Sequence, residues 1–214
     1  MKRVAKFVAG LISVAFTAVA LAAAPTQTDL NFRVLLDGKP IGQHRFELRR
    51  DGDIQKVLSR ADFNVRFLFV DVYRYHHTAT ERWRDGCLIS LASRTDDDGT
   101  IETVEANRVG DAFTVEASGG REQYESCVRS FAYWNPKLLE GGHLLNAQTG
   151  EYLPVRLQSL GEDRIALNGR DEIAERYRLS GKDLHIDLWY TPDLQWLALE
   201  SRIDSGRILR YERN

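Results

Sequence analysis

The feature that most constrains the fold is the stretch 57–83, a long run of strand-forming residues that contains neither Gly nor Pro. Its first half alternates in character, with residues such as Phe63 on one face and Arg60 on the other, which is the two-residue period of a β-strand. Its second half places five aromatic or titratable side chains on one face: Tyr73, Tyr75, His77, Glu81 and Trp83. The stretch therefore predicts β-sheet with one face turned toward a core.

The same stretch is too long for one regular strand, since strands in globular proteins usually contain about five or six residues. We therefore expect a corner near Val70 and Asp71. Such a corner predicts either two adjacent antiparallel strands or one strongly bent strand of a curved sheet.

Turn signals divide the rest of the chain at intervals of about ten residues. They are Asx-Gly pairs, which favour tight turns between antiparallel strands: Asp37-Gly38, Asp51-Gly52, Asp85-Gly86, Asp98-Gly99 and Asn168-Gly169. This spacing is typical of an antiparallel meander and not of βαβ units. We predict an all-β fold, in which an antiparallel meander of about a dozen strands forms a curved sheet, a half-barrel or a barrel.

The segment 172–179 has an ambiguous pattern, because Ala174, Glu175 and Arg176 are good helix formers. The turns Asn168-Gly169 and Ser180-Gly181 on either side favour a strand instead. We predict a strand there and keep a helix as the alternative.

One segment, 131–150, departs from the strand pattern. Asn135 can cap a helix, Pro136 suits a first helical position, and Gly141 suits the position just past a helix end. We therefore predict a short helical lid segment that lies across a sheet edge or a barrel mouth.

Residues 1–24 have the features of a secretory signal. Lys2, Arg3 and Lys6 precede an apolar stretch, and residues 22–24 are three alanines that suit signal cleavage. The apolar stretch is short for a membrane span, and no second one follows it. We expect a periplasmic protein with no stable membrane span after cleavage, with a retained anchor as the alternative, and a single β domain over 25–214.

The charge balance argues against a nucleic-acid partner. The chain has 29 Lys and Arg against 31 Asp and Glu, for a formal net charge of −2. These charges are spread without blocks, and loss of the basic signal would leave the mature chain more acidic. A nucleic-acid-binding protein usually presents a concentrated basic patch instead.

The chain has two cysteines, Cys87 and Cys127. An exported chain enters a compartment that permits disulfides, so we expect these two residues to form one bridge. The alternative is a pair of buried thiols.

The polar residues of the long stretch do not compose a known catalytic motif. His77 and Glu81 are four residues apart on one strand face, which separates their Cβ atoms by about 13 Å if the strand is straight. His76 and His77 point to opposite faces and cannot chelate a metal together. We therefore predict no catalytic residue, metal site or cofactor, and expect His77 to be hydrogen-bonded within an aromatic layer and Glu81 to pair with a cross-strand arginine.

The aromatic residues are more numerous than a core needs, and several lie beside the predicted lid. A concave sheet lined with rings, with a few polar groups at its rim, is suited to an apolar ligand. The ligand-binding candidates are Tyr73, Tyr75, His77, Glu81, Trp83, Trp134, Asn135, Trp189 and Tyr190. The alternative is that these rings only fill the barrel.

Four pieces of the chain together resemble a family of exported proteobacterial proteins, domain-of-unknown-function family 6134. They are LDGKPIGQH at 36–44, VYRYHH at 72–77 followed by ERWRDG at 81–86, YWNP at 133–136 with LNAQTGE at 145–151, and LWY at 188–190. The chain is more loosely similar to periplasmic half-barrel proteins of the lipoprotein-carrier type. This resemblance implies a periplasmic setting and a β fold, and it implies no reaction.

These observations predict an exported protein that binds or carries a hydrophobic or amphiphilic molecule, such as a lipid, without catalysis. One alternative is an envelope enzyme with a site near His77, Glu81 and a lid at 134–146. Another is an envelope assembly or scaffold protein, which would present an exposed apolar patch or an unpaired sheet edge.

Overall fold

The computed structural model describes residues 26–67, 70–203 and 206–214. The predicted signal segment 1–24 lies outside these residues. No helix in the described part of the chain has the length and apolar character needed to cross a bilayer.

Fourteen strands account for almost all of the regular structure. They are β1 (Thr26–Leu36), β2 (Lys39–Asp51), β3 (Ile54–Phe67), β4 (Val70–Arg84), β5 (Cys87–Asp97), β6 (Thr100–Val109), β7 (Ala112–Ala117), β8 (Gly120–Tyr124), β9 (Gly142–Leu145), β10 (Tyr152–Leu167), β11 (Arg170–Gly181), β12 (Leu184–Tyr190), β13 (Trp196–Arg202) and β14 (Ile208–Arg213). The remaining element is a 3₁₀ helix, Pro136–Glu140. The predicted all-β fold is confirmed.

All fourteen strands belong to one antiparallel sheet. Strands β1 to β8 follow one another as a meander, and β9 to β14 form a second one. The two meanders are joined by β1 and β14, where Phe32 lies opposite Arg213. Strands β8 and β9 are the two edges of the sheet and do not pair with each other. The curved sheet is therefore not closed by strand pairing.

Of the two arrangements predicted for the long stretch, the pair of adjacent antiparallel strands is confirmed. Strand β3 ends at Phe67 and β4 begins at Val70, and the two strands pair antiparallel. The two residues between them, 68 and 69, lie outside the described residues. A register shift between Val65 and Arg66 accompanies the change of direction.

Tight turns set the strand register where the sequence predicts them. In the turn between β1 and β2, Asp37 has φ 49° and Gly38 has φ 76°. Two successive positive φ angles are the geometry of the type I′ turn, whose twist matches the twist of the flanking strands. Asp and Gly tolerate these angles, so the dipeptide fixes where each strand ends.

The segment 125–151, which we call the plug, connects the two sheet edges and includes the 3₁₀ helix and β9. Asn135 caps the helix, since its side chain accepts a hydrogen bond of 3.1 Å from the Lys137 N–H. Gly141 ends the helix with φ 68°, and its N–H donates to the Leu138 carbonyl. Leu144 and Leu145 are fully buried. The predicted helical lid segment is therefore confirmed, and it fills the space between the sheet edges.

Three links tie the first part of the plug, residues 125–130, to β4 and β5. The Leu88 N–H donates to the Val128 carbonyl at 2.8 Å, and the Ser130 hydroxyl donates to Glu81 at 3.0 Å. Cys87 and Cys127 form a disulfide, with their Cα atoms 5.2 Å apart. The predicted bridge is thus present in the structure, and it lies at the same end of the sheet as the plug helix.

The hairpin of β10 and β11 extends beyond the sheet and folds over its outer face. Strand β11 pairs with β12 only over Glu175–Gly181, and β10 is irregular at Gly161. The extension buries Ile165 against the outer face of β12 and β13, in a small cluster with Trp189 and Ala198. The ambiguous segment 172–179 is a strand, as predicted.

Candidate functional site

The concave side of the sheet opens at one end into a cavity of about 610 Å³, which we call the mouth cavity. Its lining comes from the ends of several hairpins, which meet because the sheet is curved. The apolar part of the lining includes Leu36, Ile41, Phe63, Val65, Ile203 and Leu209. The cavity thus combines a wide opening with walls that water solvates poorly.

Three tyrosines form the aromatic part of the mouth cavity: Tyr73, Tyr75 and Tyr211. Phe63 lies opposite Tyr75 in the pairing of β3 and β4, and their rings stack with centroids 5.2 Å apart. The Tyr211 ring meets Phe63 edge-on at 6.2 Å. Strand register therefore assembles the rings from three separate strands into one wall.

A chain of hydrogen bonds crosses the polar side of the cavity. The Tyr75 hydroxyl donates to Gln148 Oε1 at 3.0 Å. Gln148 Nε2 donates to Glu102 Oε2 at 2.9 Å and to Asp97 Oδ2 at 3.4 Å. Burial raises the pKa of Tyr73 and of Tyr75, and a hydrogen bond to Asp97 raises the pKa of Tyr73 further. Both side chains are therefore neutral phenols at physiological pH.

Among the described residues that line the cavity, one side chain is cationic, that of Arg207, and it lies at the rim. Its Nε donates to Asp37 Oδ2 at 2.7 Å, and the Ile208 N–H donates to Asp37 Oδ1 at 2.9 Å. Hydrogen bonds from Ile208 and Arg207 lower the pKa of the Asp37 carboxyl. The charge of the rim guanidinium is thus partly neutralised by the carboxylate in the turn between β1 and β2.

Two histidines lie on the inner face behind the mouth cavity. His77 Nδ1 is 2.8 Å from the Thr95 hydroxyl, and His44 Nε2 is 2.7 Å from the Ser59 hydroxyl. Burial lowers the pKa of His44 to about 3 and that of His77 to about 4, so both rings are neutral at physiological pH. His77 stacks beside Tyr75, with ring centroids 6.3 Å apart. The prediction that His77 is hydrogen-bonded within an aromatic layer is confirmed.

Glu81 is buried deeper in the protein, with 6% of its surface exposed. It accepts hydrogen bonds from Trp83 Nε1 at 2.9 Å and from the Ser130 hydroxyl at 3.0 Å. Burial raises the pKa of its carboxyl. The prediction that Glu81 pairs with a cross-strand arginine is wrong, because the residues opposite Glu81 are Val57 and Leu91. Its role in the structure is to hold the plug.

The structure separates the ligand-binding candidates into several places. Tyr73 and Tyr75 line the mouth cavity, whereas Trp83, Trp134 and Asn135 surround a pocket of about 100 Å³ at the other end of the sheet. The Trp83 and Trp134 rings meet edge-on at 5.4 Å, so little space is left between them.

Trp189 and Tyr190 are adjacent and point to opposite faces of β12, as neighbours in a strand must. The Tyr190 hydroxyl donates to the Tyr133 carbonyl inside the core. Trp189 lies on the outer face, where its Nε1 donates to Asp163 and the Arg176 guanidinium stands 5.0 Å from its ring. Neither side chain reaches the mouth cavity.

Three residues of the cavity lining are not among the candidates predicted from the sequence: Tyr211, Gln148 and Asp97. Tyr211 reaches the cavity because β14 pairs with β1, a contact between distant parts of the chain. Gln148 reaches it because the plug turns back into the sheet, where the Gln148 N–H donates to Asn146 Oδ1. No local pattern marks these residues, so only the tertiary fold identifies them.

The residues proposed for an enzyme site do not share a hydrogen-bond partner. His77 is bonded to Thr95, Glu81 to Trp83 and Ser130, and Asn135 to the Lys137 N–H. Among the described residues there is also no group of three His, Cys, Asp or Glu side chains arranged to hold a metal ion.

The fold and the cavity define a class of protein: a curved antiparallel sheet that wraps around a plug and has a ring-lined cavity at its open end. Residues 32–214 match the family described as Domain of unknown function (DUF6134), and the chain belongs to this family. The match confirms the resemblance that the sequence motifs indicate.

A solved structure with a similar fold is the beta-barrel-like protein of domain of unknown function DUF1849 from Brucella abortus. The TM-score is 0.65 over 88% of this chain and 95% of that chain, at 9% sequence identity. At this identity the likeness shows the fold alone. No protein of curated function matches the chain.

Proposed function

We propose that this is a periplasmic protein that binds or carries a hydrophobic or amphiphilic small molecule in the mouth cavity, without catalysis. The observation that carries the proposal is the cavity of about 610 Å³ walled by Phe63, three tyrosines and aliphatic side chains. Its volume falls within the range of ligand pockets, roughly 300–1,000 Å³.

The packing of the rest of the interior supports this proposal. Protein interiors are normally as dense as organic crystals, and unfilled space beside apolar side chains costs stability. Phe32 and Trp196 stack with centroids 3.9 Å apart in the centre of the core, and the plug leucines are fully buried. The open space at the mouth therefore contrasts with a densely packed interior, and this contrast is expected for a ligand site.

The proposed location has two supports. Residues 1–24 carry a basic start, an apolar stretch and a cleavage site of the secretory type. The Cys87–Cys127 disulfide is chemically suited to an oxidising compartment such as the bacterial periplasm.

The two alternative functions have weaker support. An enzyme site would need His77, Glu81 or Asn135 to meet at a shared point, and each is bonded elsewhere. A scaffold would need a continuous apolar surface or a long unpaired sheet edge. The most exposed of the large apolar side chains in the described residues are distributed over several elements, with two of them at opposite ends of β6: Val72, Ile101, Val109, Leu160, Ile173, Leu194 and Ile203. The edge strands β8 and β9 contain only 5 and 4 residues, and short edge strands disfavour pairing with another chain.

The proposal is tested by mass spectrometry of a denaturing organic extract of protein purified from its native host. The wild-type protein is expected to yield an apolar or amphiphilic compound in stoichiometric amount. Val65→Trp fills the cavity and is expected to reduce the yield about tenfold, which corresponds to roughly 1.4 kcal/mol of binding.

Val109→Trp is the matched control, because Val109 is the last residue of β6 and is 78% exposed. This substitution is expected to leave the yield unchanged. Absence of any bound compound from the wild type would overturn the proposal. An equal yield from Val65→Trp would show that the compound binds elsewhere.

A further inference from the structure

The hydrogen bonds on the polar side of the mouth cavity form a chain that begins at a tyrosine hydroxyl and ends at two carboxylates. The Tyr75 hydroxyl donates to Gln148, and the Gln148 amide donates to both Glu102 and Asp97. Tyr75 has one donor hydrogen on its hydroxyl and the Gln148 side chain has two on its amide, so these two side chains have no donor left for a ligand.

The unused capacity of this wall is acceptor capacity. A carboxylate offers about four lone-pair positions, and the bonds to Asp97 and Glu102 occupy only some of them. Asp97 lines the cavity, whereas Glu102 is linked to the cavity only through Gln148. Neither carboxylate forms an ion pair with a cationic side chain among the described residues. Asp97 therefore favours a ligand group that donates hydrogen bonds, and a positive charge on that group would be attracted.

The aromatic lining has the same preference. Tyr73, Tyr75 and Tyr211 present ring surfaces to the cavity, and the face of an aromatic ring attracts cations through its quadrupole. An anionic group would be repelled by the ring faces and by the Asp97 carboxylate. Arg207, the cation of the described lining, already bonds Asp37 at the rim.

The remaining lining would hold the rest of the ligand. Leu36, Ile41, Val65 and Leu209 form an aliphatic surface beside Tyr211. A molecule that satisfies both parts has an apolar body and one donating, positively charged end.

From this arrangement we infer that the mouth cavity takes a cationic amphiphile, in which an ammonium group meets Asp97 and an alkyl or aromatic body lies against the aliphatic wall. This inference rests on the proposed function, because it names the ligand class of the same cavity.

The test compares three probes with the same ten-carbon chain: decylamine, decanol and decanoate. Binding to the processed protein is measured by isothermal titration calorimetry at pH 7, below the micelle concentration of each probe. Decylamine is expected to bind about tenfold more tightly than decanol, the gain typical of charge-assisted hydrogen bonds, and decanoate is expected to bind most weakly.

Asp97→Asn removes one charge from the wall. It is expected to weaken decylamine binding about tenfold and to change decanol binding less than about twofold. Asp111→Asn is the matched control, since Asp111 is an exposed carboxylate in the turn between β6 and β7. Raising the salt concentration should weaken decylamine binding to the wild type in the same direction.

Two results would overturn the inference and leave the proposed function standing: decanoate binding at least as tightly as decylamine, or Asp97→Asn weakening all three probes equally. If none of the three probes binds to the wild type, the proposed function fails, and the inference fails with it. A selective loss of decylamine binding in Asp97→Asn, absent from Asp111→Asn, supports both.

Discussion

The two ends of the curved sheet are built from the same strands but are finished differently. At one end the plug enters the sheet, and Trp83, Leu138 and Leu145 are almost completely buried. At the other end the hairpin tips surround the mouth cavity, and Tyr73, Tyr75 and Tyr211 are only partly buried. The difference follows from the chain's connectivity, because the segment that joins the sheet edges packs mainly at one end.

This contrast divides stability and binding between the two ends. Burying an aliphatic or aromatic side chain contributes about 1.5–3 kcal/mol, so the plug end supplies most of the packing free energy. The mouth end contributes less packing free energy, because its side chains border open space and polar groups. Three predictions use this contrast.

The largest effect is expected from the covalent link at the plug end. Replacing Cys87 and Cys127 by Ser is predicted to lower the free energy of unfolding by up to about 4 kcal/mol, because the bridge closes a loop of 40 residues. Urea unfolding of the double variant and of the wild type measures the loss. Titration of the unfolded, unreduced wild type should find no reactive thiol, and two reactive thiols would contradict the bridge.

Leucine truncations compare the two ends directly. Leu145→Ala is predicted to cost about 3 kcal/mol, because Leu145 is fully buried between the plug and the sheet. Leu209→Ala, at the mouth cavity, is predicted to cost about 1 kcal/mol, because this side chain already borders open space. Chemical denaturation gives both values. Equal losses would mean that the mouth is packed as densely as the plug end.

The third prediction concerns the histidine layer between the two ends. The pKa of His44 is about 3 and that of His77 about 4 in the folded protein, both below the ordinary value of 6.5. The unfolded chain therefore binds more protons in this interval, and stability is full above about pH 6.5 and falls as the pH decreases. At pH 5, protonation of each histidine in the unfolded chain is predicted to lower the free energy of unfolding by about 2 kcal/mol.

Denaturation at pH 7 and pH 5 measures this loss, and His77→Gln should reduce it. His143→Gln is the control, because His143 is exposed on β9. Glu81 acts in the opposite direction, since burial raises the pKa of its carboxyl. For that reason, the comparison is made between the variants and the wild type at each pH. An unchanged loss in His77→Gln would show that this ring does not contribute.

Local chemistry predicts much of this fold. Each Asx-Gly pair specifies a turn with positive φ angles, as at Asp37-Gly38, and the sequence therefore fixes where strands end. Asn135, Pro136 and Gly141 predict the short helix for the same reason, since capping depends on a few neighbouring residues. The side-chain alternation of β3 and β4 correctly places His77, Glu81 and Trp83 on the inner face.

The location of the mouth cavity depends on contacts that no local pattern encodes. The sequence does not show that Gly161 lets a hairpin fold over the outer face, where it covers Trp189. It does not show that Tyr211 meets Phe63, because this contact requires the pairing of β1 with β14. Of the aromatic candidates, Tyr73 and Tyr75 therefore line the mouth cavity, whereas rings such as Trp83 and Tyr190 fill the core.

The pairing of β1 with β14 also has a consequence for assembly of the protein. Phe32 and Arg213 are separated by nearly the whole described chain, so their contact has a high entropic cost of loop closure and is typical of a late folding step. Until it forms, β1 and β14 each present an unpaired edge that can join another chain. The sheet is thus most exposed to aggregation in the interval before its N-terminal and C-terminal halves meet.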